Sequence, residues 1–223
     1  METITPYRGK LSPKQIADGM NAASRNSQRL LEDAEMLFAA KRYPSAASLA
    51  ALAIEEVGKL PILRGVATAK GGEATKQAWK AYRDHQTKNV LWLYPLYVLG
   101  GVRTLSGLGV LFDPESKHKK RLDELKQAGF YTDCVDNGKW GVPDEFVDEL
   151  IAAFVIKTAR SLSKYHEVTE REIVLWIKHI GANQDDPRPE NLKKFWNALI
   201  EEGLNTSTID DIDGFLGIEP KAQ

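Results

Sequence analysis

Few residues in this sequence are both reactive in type and suggestive in spacing. The stretch "LAIEEVGK" sets Glu55, Glu56 and Lys59 inside a run that is otherwise almost all small or apolar. Further on, "HQTK" sets His85 and Lys88 three residues apart, which on a helix is one face. At about 100° per residue, Leu49, Ala53, Glu56 and Leu60 share a stripe, with Ala46 and Val57 beside it. Glu56 is therefore expected on a packed face. Glu55 points elsewhere, four residues from Lys59 in the order favoured for an exposed helical ion pair. A carboxylate on a packed face must be paired, protonated or reached by water, because burying an unpaired ion is costly. His85 and Lys88 are the expected company of Glu56, with Asn26 or Arg29 of the preceding helix as further members. Such a polar network, Asn26, Glu55, Glu56, Lys59, His85 and Lys88, either fixes helix register or forms a site in which an imidazole works near neutral pH.

Other chemistries lack their patterns. A di-metal bundle needs Glu-x-x-His from each of two helices, and that pair of motifs is missing. Four histidines and one cysteine at scattered positions do not form a zinc set. "GGVRTLSGLG" lacks the Lys-Ser/Thr ending of a phosphate loop. No metal and no cofactor is expected. "ESKHKKRLDELK" is the one dense basic run. Lys117, Lys119, Lys120 and Arg121 could touch phosphates, although acidic neighbours Asp123 and Glu124 suit a solvated helix.

The elements that must position these residues are helical. Ser12, Pro13 and Gln15 form a capping box. Ile16, Met20, Ala23, Ser27, Leu30, Ala34 and Leu37 then recur at helical spacing to about Lys41. A second helix starts at Pro44 and Ser45, dense in alanine, with Gly58 and Pro61 positioned to end or kink it. A third begins near Ala74 and passes through Trp79, His85, Lys88 and Trp92 toward Pro95. Asp113, Pro114 and Gly129 bracket a charged helix. "FYTDCVDNGKWGVP" reads as a loop or small hairpin turning at "DNG". A long helix follows from Pro143 to about Tyr165, and Thr169 with Glu172 caps another. Strand-like alternation is nearly absent. The fold class is all-α: a bundle of about four core helices with additional C-terminal helices. The expected organisation is an N-terminal arm over 1–11, a bundle over 12–166 with an inserted helix and loop over 113–142, and a C-terminal helical extension over 167–223.

With 223 residues, 43% hydrophobic and 27% charged, the chain has an ordinary globular composition. Its net charge of −1 gives no global field toward nucleic acid or an anionic membrane. One cysteine, Cys134, allows no internal disulfide and suits a reducing cytoplasm. The N-terminus has no apolar stretch of signal-peptide type. The most apolar run, Val90 to Gly101, falls short of the ~20 residues a membrane helix needs. A cytoplasmic protein is expected.

The order of these motifs resembles a known family. "SRNSQRLLEDAEMLFAAKRYPSAASLAALAIEEVGKLPIL", "YRDHQTK" and "RLDELKQAGFYTDCVDNGKW" are similar to the AbiV family of bacterial abortive-infection proteins, within the HEPN superfamily of helical domains. The resemblance runs over roughly residues 20 to 160. It rests on Asn26, on Glu55, Glu56, Gly58 and Lys59, on His85 and Lys88, and on Gly129 to Asp133, with Thr132 where a valine is commoner. It implies phage defence by blocking translation or cleaving RNA in infected cells, with a homodimer, a phage protein and RNA (tRNA or mRNA) as partners. HEPN nucleases cut RNA without a metal through an R-x(4–6)-H motif, which Arg160 and His166 match in "RSLSKYH". The two are about 240° apart on a continuous helix, so they converge only if the helix ends between them or a second subunit completes the site. There His166 would act as acid or base and Arg160 would stabilise transition-state charge. The Glu56, His85 and Lys88 cluster is then support or the alternative site. A non-catalytic helical module that senses or sequesters a phage or host protein is the other function class.

Overall fold

Ser12 opens the first helix as expected. Its hydroxyl accepts from the Gln15 amide at 3.2 Å, and its own amide donates to Gln15 Oε1 at 2.9 Å. The computed structural model describes residues 5–181 and 189–218. Among them are α1 (Pro13–Ala39), α2 (Tyr43–Thr68), α3 (Gly71–Arg83), α4 (His85–Lys88), α5 (Tyr94–Leu99), α6 (His118–Phe130), α7 (Pro143–Phe146) and α8 (Glu149–Leu162). They continue with α9 (Glu170–His179), α10 (Pro189–Glu201) and α11 (Ile209–Leu216). Among the described residues the protein is all-α apart from one hairpin, β1 (Asp133–Val135) with β2 (Lys139–Gly141), antiparallel with Cys134 opposite Trp140. Its turn is the expected Asp136-Asn137-Gly138, all at positive φ. Among the described residues no helix is long and apolar enough to cross a membrane.

The chain divides into two compact units. One comprises Met1–Met20, Pro61–Asp84 and Val168–Gln223, the other Asn21–Leu60 and His85–Glu167. In the first, Leu175 of α9 packs with Phe195 and Leu199 of α10, joined by Trp176 and Trp196. The Thr169–Glu172 capping box starts α9 as the sequence predicts.

In the second unit the core joins Leu30 and Ala34 of α1, five residues of α2 from Ala46 to Ile54, Leu122 of α6, and Val155, Ile156 and Ala159 of α8. Alanine on several faces of α2 lets helices close on it from more than one side. Two glycines carry this further. A Cβ on Gly58 would stand 1.9 Å from the Lys88 carbonyl oxygen, and one on Gly129 would stand 2.2 Å from Ser48 Oγ and 2.6 Å from the Pro44 carbonyl. Gly58 thus admits α4 against α2, and Gly129 admits α6. Ser48 Oγ donates to the Lys126 carbonyl at 2.9 Å and fastens the second contact. Gly58→Ala gains helix propensity but drives a methyl group into a backbone carbonyl. The expected net cost is about 1–3 kcal/mol or more, read as a fall in Tm of roughly 2–4 °C per kcal/mol.

Several boundaries differ from the sequence expectation. α2 runs through Pro61 to Thr68 rather than ending there. The third helix breaks at Asp84, whose ψ of 123° is extended, and His85 starts a separate short helix. Asp113 N-caps no helix but closes the 3-10 turn over Gly107–Phe112; its side chain accepts from the Glu115 amide, and α6 begins at His118. Gly129 lies inside α6 as a packing position, not a stop. The long helix after Pro143 is split at Val147, which is buried, with Asp148 capping α8 through the Ile151 amide at 2.9 Å.

Candidate functional site

The inward carboxylate is Glu55, not Glu56. Glu55 is 3% exposed. Glu56 sits at the edge, where Lys59 Nζ donates to it at 2.6 Å. The wheel misjudged the pair because α2 is packed on several sides. One fully buried stripe runs through Ala47, Ala51, Ile54, Glu55 and Gly58, beside another of Ala46, Ala50 and Ala53. Burial on adjoining faces leaves little periodic contrast to choose between them.

Three groups converge on Glu55. His85 Nδ1 lies 2.7 Å from Oε2, Lys88 Nζ donates to the same oxygen at 3.0 Å, and Lys126 Nζ donates to Oε1 at 2.5 Å. Lys126 also ion-pairs with Asp123 at 2.7 Å. Lys88 and Lys126 are both buried, at 6% and 4% exposed. The His85 side chain is 53% exposed. All five residues belong to the second unit. Their positions follow from the close packing above. Gly58 sits one turn beyond Glu55 and brings in the end of α4, while Gly129 lies one turn beyond Lys126 and brings in α6. The base of α4 is tied down as well: Asn89 Nδ2 donates to the Lys119 carbonyl at 3.2 Å, and Trp92 Nε1 to the His118 carbonyl at 3.0 Å.

Burial alone would raise the Glu55 carboxyl. The hydrogen bonds from Lys126, His85 and Lys88 outweigh it and hold the group below its ordinary value of 4.5. Burial likewise opposes charge on Lys126, but Asp123 and Glu55 raise it above 10.5. Both ions therefore persist at neutral pH. The sign of the linkage follows. The Glu55 contribution is present above pH 4.5 and is lost as pH falls through the depressed folded value. That of Lys126 is present below pH 10.5 and is lost as pH rises through the elevated one. Urea midpoints measured from pH 3 to 11 should show a plateau between those limits, and Glu55→Gln should flatten part of the acid limb.

An ionised Glu55 fixes the imidazole. Nδ1 lies 2.7 Å from the carboxylate and 3.4 and 3.3 Å from Lys88 and Lys126 Nζ; in the tautomer with the proton on Nδ1, that nitrogen donates to Glu55 and Nε2 is the acceptor. A buried carboxylate that orients a histidine in this way is the arrangement of a general base. The carboxylates of Glu55 and Asp123 and the His85 ring also place three possible metal-ligand atoms within 4.8 Å of one another. Lys126 Nζ bridges the two carboxylates and Lys88 Nζ holds the remaining Glu55 oxygen. A divalent cation would have to displace two ammonium groups, so the donor set does not fit one.

The other sequence candidates lie apart from this cluster. Arg29 bonds Asn26 Oδ1 at 3.0 and 3.2 Å and pairs with Asp33 at 2.8 Å on an exposed stretch of α1. The buried polar residues of that helix are Asn21, Ser24 and Ser27, of which Ser27 is bonded to the Ala53 carbonyl and to Ser163 Oγ. Arg160 donates through Nε and Nη2 to Glu35 Oε1 at 3.0 and 2.7 Å. His166 is exposed, four residues past the end of α8. The helix does end between Arg160 and His166, which is the condition their convergence within one chain requires. Lys126 escaped sequence reasoning. A helical wheel of α6 carries its signal, because Lys126 is four residues from Leu122 and three from Gly129, a lysine on an otherwise apolar or small face.

The all-α fold, with its one short hairpin after α6 among the described residues, is consistent with a HEPN-like helical domain. The chain belongs to the AbiV family: the HEPN_AbiV family model, described as AbiV, matches residues 15–164. No curated protein and no solved structure matches the chain.

Proposed function

We propose that the protein is an abortive-infection effector that acts against phage by metal-independent cleavage of RNA, with His85 as the acid–base group. Membership of the AbiV family supports the defence role. One observation carries the chemistry: a buried, ionised Glu55 lies 2.7 Å from Nδ1 of a half-exposed imidazole. In the step this supports, His85 Nε2 takes the proton of an RNA 2′-hydroxyl. The 2′-oxygen attacks the adjacent phosphorus and the 5′-oxygen leaves, taking a proton from solvent. The product ends in a 2′,3′-cyclic phosphate.

The test is cleavage of total tRNA and mRNA by purified protein in EDTA, with end-group analysis. Cyclic-phosphate ends, and no cutting when the 2′-hydroxyl is replaced by hydrogen, are the expected outcome. Cleavage that EDTA abolishes, or none at all, overturns the catalytic reading. A second reading draws on the same cluster. Glu55, Lys88 and Lys126 are buried deeply enough to act as a register lock between α2, α4 and α6 in a non-catalytic module that sequesters a phage or host protein. Toxicity in cells without RNA cleavage would favour it.

A further inference from the structure

The first unit carries a concentration of positive charge that the site above does not use. On α3, Lys76, Lys80 and Arg83 stand at i, i+4 and i+7, a single face about 10 Å long at 1.5 Å per residue. With Arg8 they line an open pocket of about 650 Å³ whose lining includes one carboxylate, Asp84. Four cations against one acid contrast with a chain of net charge −1.

The pocket is built rather than incidental. Arg83 donates to the carbonyls of Trp79 and Tyr7, each at 2.9 Å, and lies 5.2 Å over the Trp79 ring. Its fork is fixed by neutral partners, so its charge is not cancelled. Trp79 Nε1 donates to the Gly9 carbonyl at 2.9 Å, and the Tyr7 ring meets the Trp79 ring edge-on at 6.5 Å. Both chain neighbours of Arg8 are thereby tied to α3, which holds Arg8 at the pocket. The nearest acid to Lys76 is Glu73 at 3.7 Å, with both side chains more than 70% exposed, a contact of little strength.

We propose that this pocket binds a run of two or three neighbouring phosphates through Arg8, Lys76, Lys80 and Arg83. A single phosphate neutralises too little of the charge, and the length of the cationic face matches several. Trp79 is buried and covered by Arg83, so it gives no platform for a base. The ligand is recognised by its phosphates, whether free polyphosphate or a nucleic-acid backbone. This proposal does not depend on His85 chemistry.

The experiment titrates the full chain with inorganic tripolyphosphate by calorimetry, and with a labelled twelve-nucleotide all-deoxy strand by fluorescence polarisation. The deoxy strand cannot be cut through a 2′-hydroxyl, so its binding is independent of catalysis. Two or three neutralised phosphates predict a log–log salt slope of about −1.4 to −2.1 on the strand, or roughly a 7- to 20-fold loss of affinity between 50 and 200 mM salt. Lys76→Glu/Lys80→Glu, both exposed, should weaken binding at least tenfold and bring the slope to about half. Lys41→Glu/Lys139→Glu, the same charge change at exposed positions outside the pocket, should leave it unchanged. Tripolyphosphate binding without the strand identifies a free ligand; strand binding that tripolyphosphate displaces identifies a backbone. Failure of both probes, or equal losses in the two double variants, overturns the proposal.

Discussion

Glu55→Gln is expected to cost about 3–5 kcal/mol of stability, because it strips a buried ionic cluster of its central charge. The amide keeps the shape of the side chain. Lys126 retains Asp123 at 2.7 Å, but Lys88 loses the one carboxylate shown bonded to it and stays buried. The cost is therefore the desolvation of an unmatched ammonium, not the loss of one hydrogen bond. Urea unfolding at pH 7 measures it. Lys88→Met in the Glu55→Gln background should recover part of the loss, since the two residues share one contact and their effects do not add. A loss below about 1 kcal/mol, or no recovery in the double variant, would contradict an ionised cluster.

His85→Ala should separate function from folding. Its ring is half exposed and α4 is anchored by Asn89, Trp92 and the Gly58 contact rather than by the imidazole. The expected change in stability is about 1 kcal/mol. RNA cleavage should fall by 10²–10⁴-fold, roughly the range for a lost acid–base group. Initial rates at pH 7, with Tm from circular dichroism on the same preparation, check both halves. A variant that unfolds, or one that cuts at the parent rate, would count against His85 as the acid–base group.

The helical class, the α1 stripe, both capping boxes and the "DNG" turn could be read from sequence because each is a local rule with a fixed spacing. The pairing of "EE" with "H-x-x-K" was legible too, as types of residue that need one another. What sequence could not supply is which helix faces α2 on each side. Packed around much of its circumference, α2 has little amphipathic contrast, and the choice between Glu55 and Glu56 turns on the close approach of α4 at Gly58. Lys126 was hidden for a similar reason: a lysine in "RLDELKQAGF" looks like a solvated charge until Gly129 is seen packed against Ser48 and Pro44. The break at Asp84 was equally unreadable, because "YRDHQTK" has no proline or glycine to announce it. Arg160 and His166 fit a sequence spacing well, while in three dimensions Arg160 is engaged with Glu35.

One comparison bears most directly on the central claim that the Glu55–His85 arrangement is the working site. His85→Ala and His166→Ala proteins, each shown to fold, are assayed side by side for RNA cleavage in EDTA and for protection of cells against phage. The account predicts that His85→Ala loses both activities and His166→Ala keeps them; loss in His166→Ala with activity retained in His85→Ala would contradict it.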